Sequence, residues 1–88
     1  MKIKLNGFEL SVSNEYVECE VQYNNTWYYY VEEYLTDELV ELVDAYINKE
    51  ISLLDFVISF FDGVEFEDEN ESRPAYEFTL KDWKYILE

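Results

Sequence analysis

The first third of the chain alternates between apolar and polar residues, which is the period of a β-strand with one buried face. The alternating or β-rich runs are residues 2–5, 8–13, 16–23 and 26–31. Short turn signals separate them: Asn6-Gly7, Asn14-Glu15 and Asn24-Asn25. Asn-Gly is the strongest short hairpin signal, because both positions of a type I′ turn need a positive φ. Four strands joined by such short turns predict an antiparallel meander.

After residue 31 the spacing of the apolar residues changes to that of a helix. Thr36 is a favourable N-cap, and apolar side chains recur from Leu39 to Ile47 at helical spacing. Ser52 caps a second helical segment whose polar residues form one narrow stripe. We therefore expect the second helix to be mostly buried on the inner face of the sheet and to end at Gly63.

The last quarter of the chain has a mixed pattern. Residues 64–67 fit a short strand, whereas the polar segment 68–74, which ends in a proline, predicts a loop. Residues 76–80 alternate and are a candidate further strand. Thr79 followed by Asp82 resembles a capping box, which predicts a short terminal helix over 80–87.

These elements predict a single α+β domain covering residues 1–88. Its architecture is an antiparallel sheet, with a four-stranded N-terminal meander and a candidate fifth strand, packed against two central helices. A short C-terminal helix completes the predicted fold.

The charge of the chain is strongly one-sided. The sequence has 21 acidic and 6 basic residues, a formal net charge of −15, and Lys49 is the single base between Leu5 and Ser72. A small domain needs a charge magnitude of only about 2–8 to stay soluble. We interpret the excess as functional, with a basic protein as the partner. Six cations cannot form a basic patch for nucleic acid, and an anionic membrane would repel the chain.

The sequence lacks the residues of common catalytic sites. It has no histidine, and its single cysteine, Cys19, sits at an inward strand position typical of a small buried hydrophobe. No Gly-rich phosphate loop is present, and residues 68–79 lack the glycine and the final glutamate of a calcium-binding EF-hand. We predict no catalytic residue, metal or cofactor. Without an apolar run long enough to span a membrane, or a signal peptide, a cytoplasmic protein is expected.

Acidic side chains recur at every second residue in two places. Glu65, Glu67, Glu69 and Glu71 alternate in the first place, where Asp68 completes the first candidate binding patch, and Glu18 with Glu20 is the second patch. On extended backbone such residues share one face about 6.6 Å apart. A row of carboxylates at that spacing approximates the phosphates of a nucleic-acid strand. The alternative is a solvated strand face and a solvated loop.

Consecutive aromatic residues precede a further acidic pair. Residues 27–30 are Trp-Tyr-Tyr-Tyr, so one of the pairs Trp27/Tyr29 and Tyr28/Tyr30 belongs to the core and the other faces outward. Exposed tyrosine beside carboxylates is typical of protein-binding surfaces. The candidate partner-binding residues from this segment are Tyr28, Tyr30, Glu32 and Glu33. The alternative is that the C-terminal segment covers the outer pair.

A small, very acidic, aromatic-rich α+β chain without catalytic residues resembles the phage-encoded inhibitors of host defence nucleases, which include anti-CRISPR proteins and other DNA mimics. The resemblance covers the whole chain in size, charge and class, without a signature motif. It implies an acidic surface that fills the nucleic-acid-binding groove of a nuclease. The alternatives are an immunity protein or antitoxin that neutralises a basic nuclease toxin, and an adaptor that binds a basic protein. The oligomeric state is left open.

Overall fold

The computed structural model describes residues 1–88 and shows an α+β fold in which one sheet holds six antiparallel strands. The strands are β1 (Lys2–Lys4), β2 (Phe8–Ser13), β3 (Tyr16–Tyr23), β4 (Thr26–Glu32), β5 (Glu65–Glu67) and β6 (Ser72–Pro74). They lie in the sheet in chain order, so each strand pairs with the next. The predicted meander is present in β1–β4, and the sheet has six strands rather than four or five.

Of the two additional strands, β5 matches the short strand predicted over residues 64–67, and β6 corrects the interpretation of the segment that follows. Residues 68–74 were expected to be a loop, but Ser72–Pro74 pairs with β5. Pro74 is tolerated because β6 is an edge strand. On the side of β6 that has no neighbouring strand, a missing N–H removes no hydrogen bond of the sheet. The expected strand at 76–80 is wrong, since Ala75–Glu77 forms a 3₁₀ turn that buries Ala75 and Phe78.

Three helices begin at the predicted caps. They are α1 (Asp37–Ile47), α2 (Leu53–Phe60) and α3 (Leu80–Ile86). The hydroxyls of Thr36 and Ser52 accept backbone N–H bonds at 3.3 and 3.1 Å, and Thr79 forms a reciprocal capping box with Asp82. α2 ends at Phe60, three residues before Gly63, whose φ is +80°. None of the three helices has the length and apolar character needed to cross a membrane.

One face of the sheet and the apolar faces of the helices share a single core. Phe61, directly after α2, lies at its centre: its ring is 6.2 Å from Phe8 of β2, 6.1 Å from Tyr30 of β4 and 5.3 Å from Phe66 of β5. Its ring also stacks on Trp83 of α3 at 6.2 Å. Three strands and two helical segments therefore meet at one aromatic side chain.

Replacing Phe61 with alanine should remove these contacts together. We expect a loss of about 3–5 kcal/mol in the free energy of unfolding, which is a large part of the 5–15 kcal/mol typical of a domain. Denaturant unfolding followed by circular dichroism measures it. Ile58→Ala, at an exposed position of α2, is the matched control and should cost less. Equal losses in the two variants would show that Phe61 is not the centre of the core.

Candidate functional site

The strand register divides the side chains of the sheet between two faces. Inward-facing residues join the core, and the outward-facing residues form what we call the open face. The open face consists of Lys2, Lys4, Glu9, Ser11, Ser13, Tyr16, Glu18, Glu20, Gln22, Trp27, Tyr29, Val31, Glu65, Glu67, Ser72 and Pro74. Its central aromatic residues are not covered by a helix, since Tyr29 is 49% exposed and Trp27 is 37% exposed.

One row of the open face runs across all six strands, from Lys4 of β1 to Ser72 of β6. Glu9 of β2 pairs with Glu20 of β3, Glu20 pairs with Tyr29 of β4, and Tyr29 pairs with Glu67 of β5. At the β1 edge Lys4 pairs with Glu9. Neighbouring strands are about 4.8 Å apart, so Tyr29 lies between Glu20 on one neighbouring strand and Glu67 on the other. The two predicted acidic patches, which are far apart in sequence, are thus brought together at this tyrosine.

The aromatic residues of β4 take the opposite faces from those predicted for binding. Tyr28 is only 2% exposed and pairs with buried Val21, and Tyr30 pairs with buried Cys19. Tyr28 and Tyr30 therefore belong to the core side of the sheet, and the expectation that this pair faces outward is wrong. Trp27 and Tyr29 are the outward pair, and they are functional candidates that the sequence interpretation missed.

A signal for this assignment is present in the sequence. Asn24 and Asn25 both have positive φ, 53° and 64°, as a two-residue type I′ turn requires. Such a turn pairs Tyr23 with Thr26 and so places Tyr28 opposite Val21. The alternation of β3 already assigns Val21 to the inner face, which determines the face of every residue in β4.

Glu71, a member of the first predicted patch, is separated from the open face by its own contacts. The Tyr28 hydroxyl donates a hydrogen bond to its Oε1, and Arg73 Nη2 lies 3.5 Å from the same oxygen. Arg73 also pairs with Glu77 at 3.1 Å and lies over the rings of Tyr23 and Tyr28 at 5.0 and 5.7 Å. This cluster, which we call the Arg73 cluster, ties β6 to β3 and β4.

Asp68 has a structural task at the turn between β5 and β6. Its Oδ1 accepts the backbone N–H groups of Asn70 and Glu71 at 2.8 and 2.7 Å. The turn, with exposed Glu69, borders a shallow depression of about 300 Å³ that Trp27 and Tyr29 also line. Asp68 and Glu69 therefore lie beside the open face, whereas Glu65 and Glu67 lie on it.

The last two predicted residues lie at the end of β4. Glu32 pairs with buried Val17, so it lies on the inner side of the register, and its Oε2 is 3.4 Å from the Tyr30 hydroxyl. Its Oε1 accepts the backbone N–H of Glu33 at 3.0 Å. Glu33 is exposed after the strand has ended. The structure does not bring this pair onto the open face.

Electrostatic repulsion is built into the open face. Glu9 and Glu20 are directly opposite each other on neighbouring strands, an arrangement that destabilises a sheet. Lys2 Nζ lies 3.6 Å from Glu9, whereas Glu18, Glu20, Glu65 and Glu67 form no ion pair.

Beneath these carboxylates, burial raises the pKa of the Cys19 thiol well above its ordinary value, with the charge of Glu20 adding to the effect. Burial therefore favours the protonated thiol at neutral pH.

Neutralising one carboxylate of the open face should stabilise the protein. For Glu20→Gln we expect a gain of about 0.2–1 kcal/mol in the free energy of unfolding, because the opposed charge of Glu9 loses its repulsive partner. Glu50→Gln changes the net charge equally at an exposed position away from the sheet and should give a smaller gain. Added salt should reduce the difference between the variants. Destabilisation by Glu20→Gln in denaturant unfolding would contradict the repulsion.

The core-side tyrosines should make stability fall at alkaline pH. The hydrogen bond to Glu71 and then burial raise the pKa of Tyr28, with Arg73 opposing, and burial and then Glu32 raise the pKa of Tyr30. The folded state keeps these protons where the unfolded state releases them. Their contribution is thus complete below pH about 10 and is lost as the pH rises through the folded pKa values. Thermal melts across this pH range should show a shallower decline in melting temperature for Tyr28→Phe than for the unsubstituted protein. An equal decline in the two proteins would contradict the contribution of Tyr28.

The chain contains no group of three or more histidine, cysteine, aspartate or glutamate side chains arranged to hold a metal ion. In comparisons with known proteins, no family model, no curated protein and no solved structure matches the chain.

Proposed function

We propose that the protein is an acidic inhibitor that binds the basic nucleic-acid-binding groove of a nuclease and blocks nucleic acid from entering it. The observation that carries the proposal is the row on the open face in which unpaired Glu20 and Glu67 flank exposed Tyr29. Glu20 also stands directly opposite Glu9, a pairing of like charges that disfavours the sheet, and no cation of the chain pairs with Glu20 or Glu67. A basic partner supplies the missing charge.

The charge of the whole chain supports a basic protein as the partner. A net charge of −15 produces a field that accelerates encounter with a cationic groove and repels nucleic acids and anionic lipids. Grooves that bind nucleic acid are lined with arginine and lysine already positioned for phosphates. An inhibitor with carboxylates at comparable spacing uses those cations without any rearrangement of the partner.

The spacing of the carboxylates supports the same class of partner. Glu18 and Glu20 follow one strand at about 6.6 Å, and Glu65 and Glu67 follow another strand of the same face at the same interval. Two lines of negative charge separated by an aromatic strip resemble, in coarse outline, two phosphate rows with bases between them. Trp27 and Tyr29 add contact area at a small cost in side-chain entropy.

The test is inhibition of DNA cleavage by a panel of purified RNA-guided defence nucleases and nuclease toxins. We expect the protein to inhibit a member of the panel and to displace a fluorescent DNA duplex from it, with an affinity that falls as salt rises. Inhibition confined to a toxin would favour the immunity-protein alternative. Inhibition of no nuclease in the panel, or direct DNA binding by the free protein, would contradict the proposal.

A charge-matched pair of variants locates the function on the open face. The triple variant Glu18→Gln, Glu20→Gln, Glu67→Gln should lose at least about thirtyfold in affinity for the inhibited nuclease, because losing even one partner of a desolvated charge pair typically costs about 2–5 kcal/mol. The control variant Glu41→Gln, Glu50→Gln, Glu88→Gln has the same net charge and should retain affinity. Equal weakening by both variants would mean that bulk charge, and not this face, is responsible.

A further inference from the structure

The open face contains a recess with two chemically different walls. It lies between β2, β3 and β4 and has a volume of about 300 Å³. Carboxylates of Glu9, Glu18 and Glu20 line one side, and the side chains of Tyr29 and Val31 line the other. The strand register places the two sides next to each other, since Glu20 pairs with Tyr29 and Glu18 pairs with Val31. The recess therefore suits a side chain that has an apolar stem and a cationic head.

The chain's own cation neutralises only part of this recess. Lys2 stands at the rim with its Nζ 3.6 Å from Glu9 Oε1, and its side chain is 63% exposed. Glu18 and Glu20 form no ion pair. The side chains are not arranged to hold a metal ion, so an organic cation is the ligand class that fits.

The same combination of groups already holds an arginine elsewhere in the molecule. In the Arg73 cluster the guanidinium lies over two tyrosine rings at 5.0 and 5.7 Å while it pairs with Glu71 and Glu77. An aromatic face with adjacent carboxylates suits a guanidinium, because the planar group stacks on the ring and offers parallel N–H donors to carboxylate oxygens. A lysine ammonium is a compact, strongly hydrated point charge and gains less from the ring.

We propose that the recess is a receptor for an arginine side chain presented by a protein partner, with Tyr29 as the stacking surface and Glu18 and Glu20 as the carboxylates. This proposal rests on the proposed function, for which it specifies the residue recognised in the partner's groove. Arg73 is the only arginine of the chain and is engaged in its own cluster. A second copy of the chain therefore cannot fill the recess with a free arginine, and the occupant belongs to a different protein.

The experiment titrates the ¹⁵N-labelled full chain with capped tri-arginine and tri-lysine peptides, which carry equal charge. We expect the largest amide shifts at Glu18, Glu20, Tyr29 and Val31, with tri-arginine binding about two- to fivefold more tightly, the ratio expected for an exposed cation–aromatic contact. Equal affinities for the two peptides, or shifts centred outside the recess, would overturn the proposal.

Variants separate stacking from charge. Tyr29→Leu should abolish the preference for arginine while keeping lysine binding, whereas Tyr29→Phe should retain the preference. Glu18→Gln with Glu20→Gln should weaken both peptides, and Glu50→Gln with Glu88→Gln is the control of equal charge. A preference for arginine that survives in Tyr29→Leu would overturn the role of the ring.

The outcomes distinguish this proposal from the proposed function. Inhibition of a nuclease by a chain that does not discriminate the peptides would refute the arginine recess and leave the inhibitor function standing. Discrimination of the peptides at the recess without inhibition of any nuclease would establish the receptor and refute the nuclease as its target.

Discussion

Electrostatic self-repulsion is the constraint against which the whole structure is built. A chain of 88 residues with a net charge of −15 must stay compact although its charges favour expansion. The opposing contribution comes from aromatic packing, which is concentrated around Phe61, where β2, β4, β5 and α3 meet. The buried set includes no charged side chain, so every carboxylate keeps some contact with solvent. Because the core lies on the other face of the sheet, the open face can carry unneutralised charge without burying it.

Local patterns were sufficient to predict the elements whose signals lie within a few residues. The strands β1–β4 follow from alternation, and the starts of the helices follow from Thr36, Ser52 and Thr79, whose side chains bond to the backbone three residues onward. The β5–β6 hairpin was not predicted as a unit. Its strands have only three residues each, and the Asp68 turn between them is recognisable only from hydrogen bonds to the backbone of residues 70 and 71.

The acidic character of the candidate site was predictable from the sequence, whereas the set of residues that share the open face was not. The sequence identifies Glu18, Glu20, Glu65 and Glu67 by their spacing, and the sheet places all four on one face. It does not reveal that Glu71 is bound to Tyr28 and Arg73, because those contacts depend on tertiary packing. The aromatic pair was assignable in principle from the Asn24-Asn25 turn, since a two-residue turn sets the register between β3 and β4.

The ends of the sheet determine how another molecule can reach its open face. β1 and β6 are the two edge strands, each has only three residues, and they carry Lys2 and Lys4 on one side and Pro74 on the other. Short edges with lysine or proline oppose the addition of a further strand. Sideways extension of the sheet, whether by a partner's strand or by polymerisation of the chain, is therefore disfavoured. A ligand of the open face would therefore approach perpendicular to the sheet and contact side chains rather than pair with the backbone of an edge strand.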